Sequence, residues 1–185
     1  MKILAISGSL RAESSNTALL HAAAALAPEG VHITIYDGLK GLPYFDPGLE
    51  PEEAPGPVMD FRAGLKAADA VLICTPEYAH GMPGILKNAL EWTVASGEFV
   101  AKPVAALSAS PSSGGGEKAR AWLVQTLAVM SAEIVPEASL SLPFVRTKLK
   151  AHQEGRDPAL AETLRAVLEA LARAVEARQK WEAIQ

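Results

Sequence analysis

The chain contains a single cysteine, Cys74. One thiol cannot close an internal disulfide or build a cysteine-based metal centre, and a reducing compartment is its simplest home. Histidine is scarce too: His21, His32, His80 and His152 are scattered, with no H-x-x-x-H pair to set two imidazoles on one helical face, so no metal site is expected. Charge of one sign is lacking, with 17 Lys and Arg against 21 Asp and Glu and a formal net charge of −4. That balance excludes a phosphate-neutralising nucleic-acid surface. It is also too mild for the polyanionic docking face of an electron shuttle. No apolar run approaches the roughly 20 residues that span a bilayer, and residues 1–9 carry one lysine and no cleavage pattern. The expectation is a soluble, cytoplasmic protein with no membrane or nucleic-acid partner. Two nucleotide signatures are absent as well. Without G-x-x-x-x-G-K-[ST] there is no lysine for triphosphate hydrolysis, and without G-x-G-x-x-G a dinucleotide held in the Rossmann manner is disfavoured.

What is present suits one domain spanning residues 1–185, with 49% hydrophobic residues to fill its core. Short apolar runs at 2–7, 31–36, 70–75 and 103–108 read as strands, and 133–142 offers a fifth. Helical spacing predicts helices at 16–26, 58–67, 83–96, from the 109–116 loop to 130, and along the tail, where Asp157 and Pro158 form an N-cap and N1 pair. Leu160, Leu164, Val167, Leu168, Leu171 and Val175 give that tail helix its apolar stripe. Trp92, at helical spacing from Leu86, is expected in the core. Residues 39–57 hold Pro43, Pro47, Pro51, Pro55 and Pro57, a density of breakers that predicts a long surface excursion without helix or strand. Continuous apolar strands alternating with helices specify a parallel sheet covered on both faces, a doubly wound α/β fold.

In such a sheet, ligands bind beyond the carboxyl ends of the strands, and three loops there are chemically distinctive. The first, residues 8–17, combines Ser9, Arg11, Ser14, Ser15, Asn16 and Thr17 with a helix N-terminus, a combination that attracts a phosphate. The second, residues 76–84, is stiffened by Pro76, Pro83, Gly81 and Gly84 and can bring backbone N–H groups close to a flat ligand. The third, residues 108–116, is a Ser/Gly run whose backbone could hold the far side of a ring.

Gly8-Ser9-Leu10-Arg11 with Ser15-Asn16, followed by Thr75-Pro76-Glu77-Tyr78 and Pro83-Gly84-Ile85-Leu86-Lys87-Asn88-Ala89-Leu90-Glu91-Trp92, resembles the NADPH-dependent FMN reductases, which include quinone and chromate reductases and azoreductases. The likeness covers about residues 1–130. It implies a flavodoxin-like five-stranded sheet in the order 2-1-3-4-5, bound FMN, NAD(P)H as co-substrate, a small-molecule electron acceptor, and a homodimer or homotetramer. By the same resemblance Ser9, Leu10, Arg11, Ser15, Asn16 and Thr17 form the loop at the FMN phosphate and ribityl end. Pro76, Glu77, Tyr78 and Ala79 would border the ring, and Ser108 and Ser110 would close its far side. His80, Gly114 and Gly115 are candidates for the substrate side. Many members have Asn where this chain has Ala79. The chemistry implied is hydride transfer from nicotinamide to flavin N5, then electron transfer to a quinone, free flavin or similar acceptor, with no catalytic side chain required. Two rivals use the same edge: a flavodoxin-type carrier or flavin-binding interaction protein without turnover, and a redox-free nucleoside-processing enzyme with Glu77 as nucleophile.

Overall fold

The computed structural model describes residues 1–49, 51–155 and 158–184. Its strands are β1 (Lys2–Ser7), β2 (His32–Tyr36), β3 (Ala70–Thr75), β4 (Pro103–Ala109), β5 (Glu133–Ile134) and β6 (Ser141–Leu142). Its helices are α1 (Ser15–Ala25), α2 (Gly56–Ala67), α3 (Gly84–Glu91), α4 (Glu117–Val129), α5 (Val145–Gln153) and α6 (Ala159–Glu182). The strands are all parallel in the order β2-β1-β3-β4-β5, the expected flavodoxin-like arrangement, with β6 also paired to β4.

Side-chain alternation along the central strands divides the interior in two. Ala70, Leu72 and Cys74 of β3 face a core shared with α1, α5 and α6. Val71 and Ile73 face the other core, against α2, α3 and α4. All six residues of β3 are buried, so its apolar run is continuous where a half-exposed strand would alternate. The tail stripe from Leu160 to Val175 is buried on the first core as its spacing predicts. Asp157, the expected cap, lies outside the described residues; Pro158 stands immediately before the helix.

Three expectations need correction. The fifth strand is two short pieces, β5 on the start of β4 and β6 on its end, separated by a 3₁₀ turn at Pro136–Ala138. Pro136 has no N–H for the ladder, and in the gap the Ala106 N–H donates instead to Ser139 Oγ at 3.0 Å. Helix α3 stops at Glu91, short of 96. The Trp92 carbonyl is taken by the Arg62 guanidinium, and Thr93 and Val94 N–H bond back by three residues to Leu90 and Glu91, tightening the end. The 39–57 segment is no free excursion. It carries 3₁₀ turns at Gly38–Gly41 and Pro51–Glu53, and Pro43 O accepts from both Asn88 Nδ2 and Trp92 Nε1 at 2.9 Å. Leu39 and Leu42 are buried, and Trp92 is a core residue as expected.

Candidate active site

The first loop leaves β1 through Gly8, whose N–H continues the ladder to Cys74 O at 2.9 Å. A Cβ at Gly8 would fall 3.0 Å from Thr75 Oγ1 and 3.1 Å from Leu86 Cδ2, so the crowding of the β1 exit between the end of β3 and α3 calls for glycine. Hydroxyls then set the loop's path: Ser7 Oγ accepts from Ser9 N (3.3 Å) and Thr17 Oγ1 (2.8 Å), and Ser9 Oγ accepts from Arg11 N (3.3 Å). Ser14 caps α1 by accepting from Thr17 N. The N–H groups of Ser15 and Asn16 are thereby left at the mouth of the helix, at the positive end of its dipole. Asn16 is buried and its side chain is committed: Nδ2 donates to Ala109 O (3.3 Å), and Oδ1 accepts from Cys74 Sγ (3.1 Å). Burial pushes the Cys74 thiol far up, removing it as a nucleophile.

The second loop holds a two-residue reverse turn. Tyr78 and Gly81 exchange N–H···O bonds at 3.0 Å around Ala79 (φ 49°) and His80 (φ 63°), the two positive φ values of a type I′ turn. Glu77 reaches across to α4, where Oε2 accepts from Lys118 N (3.0 Å) and Ala119 N (3.2 Å). Gly116 at the cap position offers that helix no side chain, so Glu77 supplies the anion from a distant loop. Desolvation alone would raise the Glu77 carboxyl, but the Ala119 N–H, His80 and the Lys118 N–H outweigh it and hold it below the usual carboxylate range. A carboxylate bonded in this way is a helix cap, which counts against Glu77 as a nucleophile.

Between these loops and the third lies a crevice of about 250 Å³. Of the sequence-predicted residues, Ser9, Arg11, Ser15 and Asn16 line it from the first loop, Pro76, Glu77 and Tyr78 from the second, and Ser110 from the third. The other predicted residues stand elsewhere. Leu10 is exposed to solvent. Thr17 faces a neighbouring groove, its hydroxyl held by Ser7. Ala79 and His80 form the apex of the turn outside the lining, with His80 Nδ1 3.4 Å from Glu77 Oε1. Ser108 lies behind the wall, fully buried, with its hydroxyl 2.9 Å from Gly115 O and Ser141 Oγ. Gly115 is pressed against the β6 exit, where a Cβ would meet Pro143 N at 2.9 Å, and Gly114 is exposed without lining the crevice.

Ser14, expected in the phosphate-attracting loop, lines the crevice too, as do Glu13, Ala109 and Pro111, which lie in the marked loops but were not singled out; sequence reasoning missed Arg146 altogether. Arg146 stands in the first turn of α5, directly beyond β6. The available signal was a cation just past the last strand at the carboxyl edge, but a two-residue strand has no periodicity to reveal that edge. Neither Arg11 nor Arg146 has an ion-pair partner among the described residues. A cation in the first turn of a helix opposes the helix dipole, so Arg146 is placed for an incoming anion.

The model of one family, described as NADPH-dependent FMN reductase, matches residues 1–147. The chain belongs to that family. Among its relatives is the NAD(P)H-dependent FMN reductase of Pseudomonas aeruginosa, 35% identical over 173 residues that cover 92% of this chain and 93% of the relative. A quinone reductase of Pseudomonas putida is 34% identical over 143 residues, covering 75% and 76% of the two chains. The solved structure of FerB, a flavoenzyme NAD(P)H:(acceptor) oxidoreductase from Paracoccus denitrificans, superposes with a TM-score of 0.81 at 26% identity over 95% of this chain and 97% of its own. This FMN reductase is therefore a flavin-dependent oxidoreductase with a nicotinamide donor, which sets aside the redox-free reading. The residues present fit FMN: two guanidiniums and the first N–H groups of α1, none of them with a partner among the described residues, suit its phosphate, and the proline-stiffened 76–78 backbone offers a wall for a flat ring. No helix among the described residues is long and apolar enough to cross a membrane, and no group of three or more His, Cys, Asp or Glu side chains among them could hold a metal.

Proposed function

We propose that this reductase passes electrons from NAD(P)H to quinones or comparable small acceptors, with FMN seated in the crevice between the three loops. The observation that carries the residue assignment is the meeting of Arg11 and Arg146, neither ion-paired among the described residues, with the mouth of α1, on the same sheet edge as the 76–78 wall. Bound FMN would supply the redox chemistry that links the nicotinamide donor to the acceptor. The protein's own work is positional. Arg11, Arg146, Ser9 and the Ser15 and Asn16 N–H groups bind the phosphate. Pro76 and Tyr78 border the ring, Glu77 fixes that wall by capping α4, and Ser110 closes the opposite side. Asn16 and Cys74 tie α1 to the ends of β3 and β4, which holds the anion end in register with the wall.

The relatives that carry quinone reductase names support the choice of acceptor. Exposed Trp122, which lies over Gly81 beside the turn, and Val129 on the same helix support association into a homodimer or homotetramer near the site. One buried thiol fits a reducing cytoplasm. The test is steady-state oxidation of NADPH by the FMN-loaded protein with a benzoquinone, alongside calorimetric titration of FMN into wild type and Arg11→Ala. Turnover with the quinone is expected, and loss of the charged hydrogen bond should weaken FMN by about 1.5–3 kcal/mol. Reduction of the flavin without sustained turnover would mark an electron carrier. Unchanged FMN affinity in Arg11→Ala would place that side chain outside the phosphate site.

A further inference from the structure

Beside the crevice, a shallow, open surface groove of about 380 Å³ runs between α1 and α5. The two share Glu13, Ser14, Ser15 and Arg146, so the groove opens from the anion end of the crevice. Its walls are helical faces. Ser14, Ala18 and His21 follow one another along α1, and Arg146, Leu149, Lys150 and Gln153 along α5. Both helices start at the carboxyl edge of the sheet and run the same way. The groove therefore descends from the crevice mouth to His21 and Gln153, seven residues or about 10 Å along the helices.

The chemistry changes along that path. Arg146 and then Lys150, one turn further on, stand at the upper end with the Glu13 carboxylate, two cations against one anion, and neither cation has an ion-pair partner among the described residues. The floor is apolar, made by Ala18 and the largely buried Leu149. At the lower end His21 offers an aromatic face, and the Gln153 amide offers both a donor and an acceptor. Phosphate-binding cations followed by an apolar slot with a bifunctional amide match a phosphate that carries a purine nucleoside. FMN would leave this groove unused, because its phosphate ends at the mouth of α1.

We propose that the groove takes the adenylate half of FAD, so that this chain binds the dinucleotide flavin as well as FMN. Lys150 and Arg146 hold the second phosphate, and the adenosine lies on Ala18 and Leu149 between His21 and Gln153. The proposal rests on the reading that the crevice holds the FMN moiety. It needs no G-x-G-x-x-G turn, since side chains of two helices carry the added phosphate where the Rossmann arrangement uses a glycine loop.

The test is calorimetric titration of FMN and of FAD into the flavin-free full chain, for wild type, Lys150→Glu and Lys150→Arg. FAD should bind wild type at least as tightly as FMN. Lys150→Glu should weaken FAD about 10-fold or more and FMN less than about 3-fold, and Lys150→Arg should restore FAD. Equal losses for the two flavins, or FMN binding without FAD binding, would overturn the proposal and leave the crevice assignment intact. Failure of both flavins to bind wild type would remove the crevice assignment and the proposal with it. A KM for NADPH raised by Lys150→Glu in the FMN-loaded enzyme, with the FAD-to-FMN ratio unchanged, would give the groove to the nicotinamide donor and also overturn it.

Discussion

Ala79 holds φ at 49° beside His80 at 63°, and of the two Ala79 is the more costly. A left-handed conformation costs an ordinary L-residue about 1–2 kcal/mol, whereas Asn relieves part of that with a local hydrogen bond. The frequent Asn of the family at this position is thus a turn former here, whatever else its amide does. Ala79→Asn should raise the stability of the protein by up to about 1 kcal/mol in urea unfolding, with FMN affinity unchanged because Ala79 lies outside the crevice lining. A neutral or destabilising result would mean the I′ turn is not held in solution. Which residues flank the crevice was largely legible along the chain, because the first two loops are contiguous segments whose composition is visible. Which side chains are free was not. Asn16 and Thr17 read as ligand donors, yet their side-chain polar atoms are satisfied by Ala109, Cys74 and Ser7, partners that only the packed sheet brings near, and only the Asn16 backbone N–H stays free of a partner among the described residues.

At the scale of elements, two connections are made by side chains acting at a distance. Helix α4 takes its anionic cap from Glu77, 41 and 42 residues before the N–H groups it accepts from. Its loss in Glu77→Ala should cost about 0.5–2 kcal/mol at neutral pH. Because the folded carboxyl lies below its ordinary value, that contribution is present in full above the unfolded pKa of about 4.3. It fades as pH falls through the lower folded value. Denaturant curves for wild type and variant should accordingly converge on acidification; a gap independent of pH would assign the effect to packing. The second connection is the Ala106 N–H to Ser139 Oγ bond across the break between β5 and β6. Ser139→Ala leaves a strand donor unpaired and should destabilise by about 1–3 kcal/mol by calorimetry. An unchanged midpoint would show that water replaces the hydroxyl. Strand propensity over 133–142 could not report this break, since its cause is one proline and a pairing partner some thirty residues away.

Across the whole molecule, two cores share one sheet, and the central strands contribute to both. The flavin-free chain is expected to unfold in a single transition, with calorimetric and van't Hoff enthalpies equal; two resolved transitions would argue for separate units within residues 1–185. The two-sided burial and the gathering of loops at one edge were within reach of the sequence, because they follow from local periodicity combined with the right-handed crossover rule, which acts the same way in any chain of this pattern. The order of strands was expected only from the family resemblance, since periodicity does not say which strands are neighbours. The arrival of Arg146 at the crevice that Arg11 also lines was decided only by the tertiary structure. It depends on β6, two residues long and held in place by pairing with Ser108 and Ala109. The same holds for the commitment of Glu77 to α4 and for the groove between α1 and α5. Contacts between segments far apart in the chain leave no periodic trace, because their energy comes from groups that meet only after the sheet has formed.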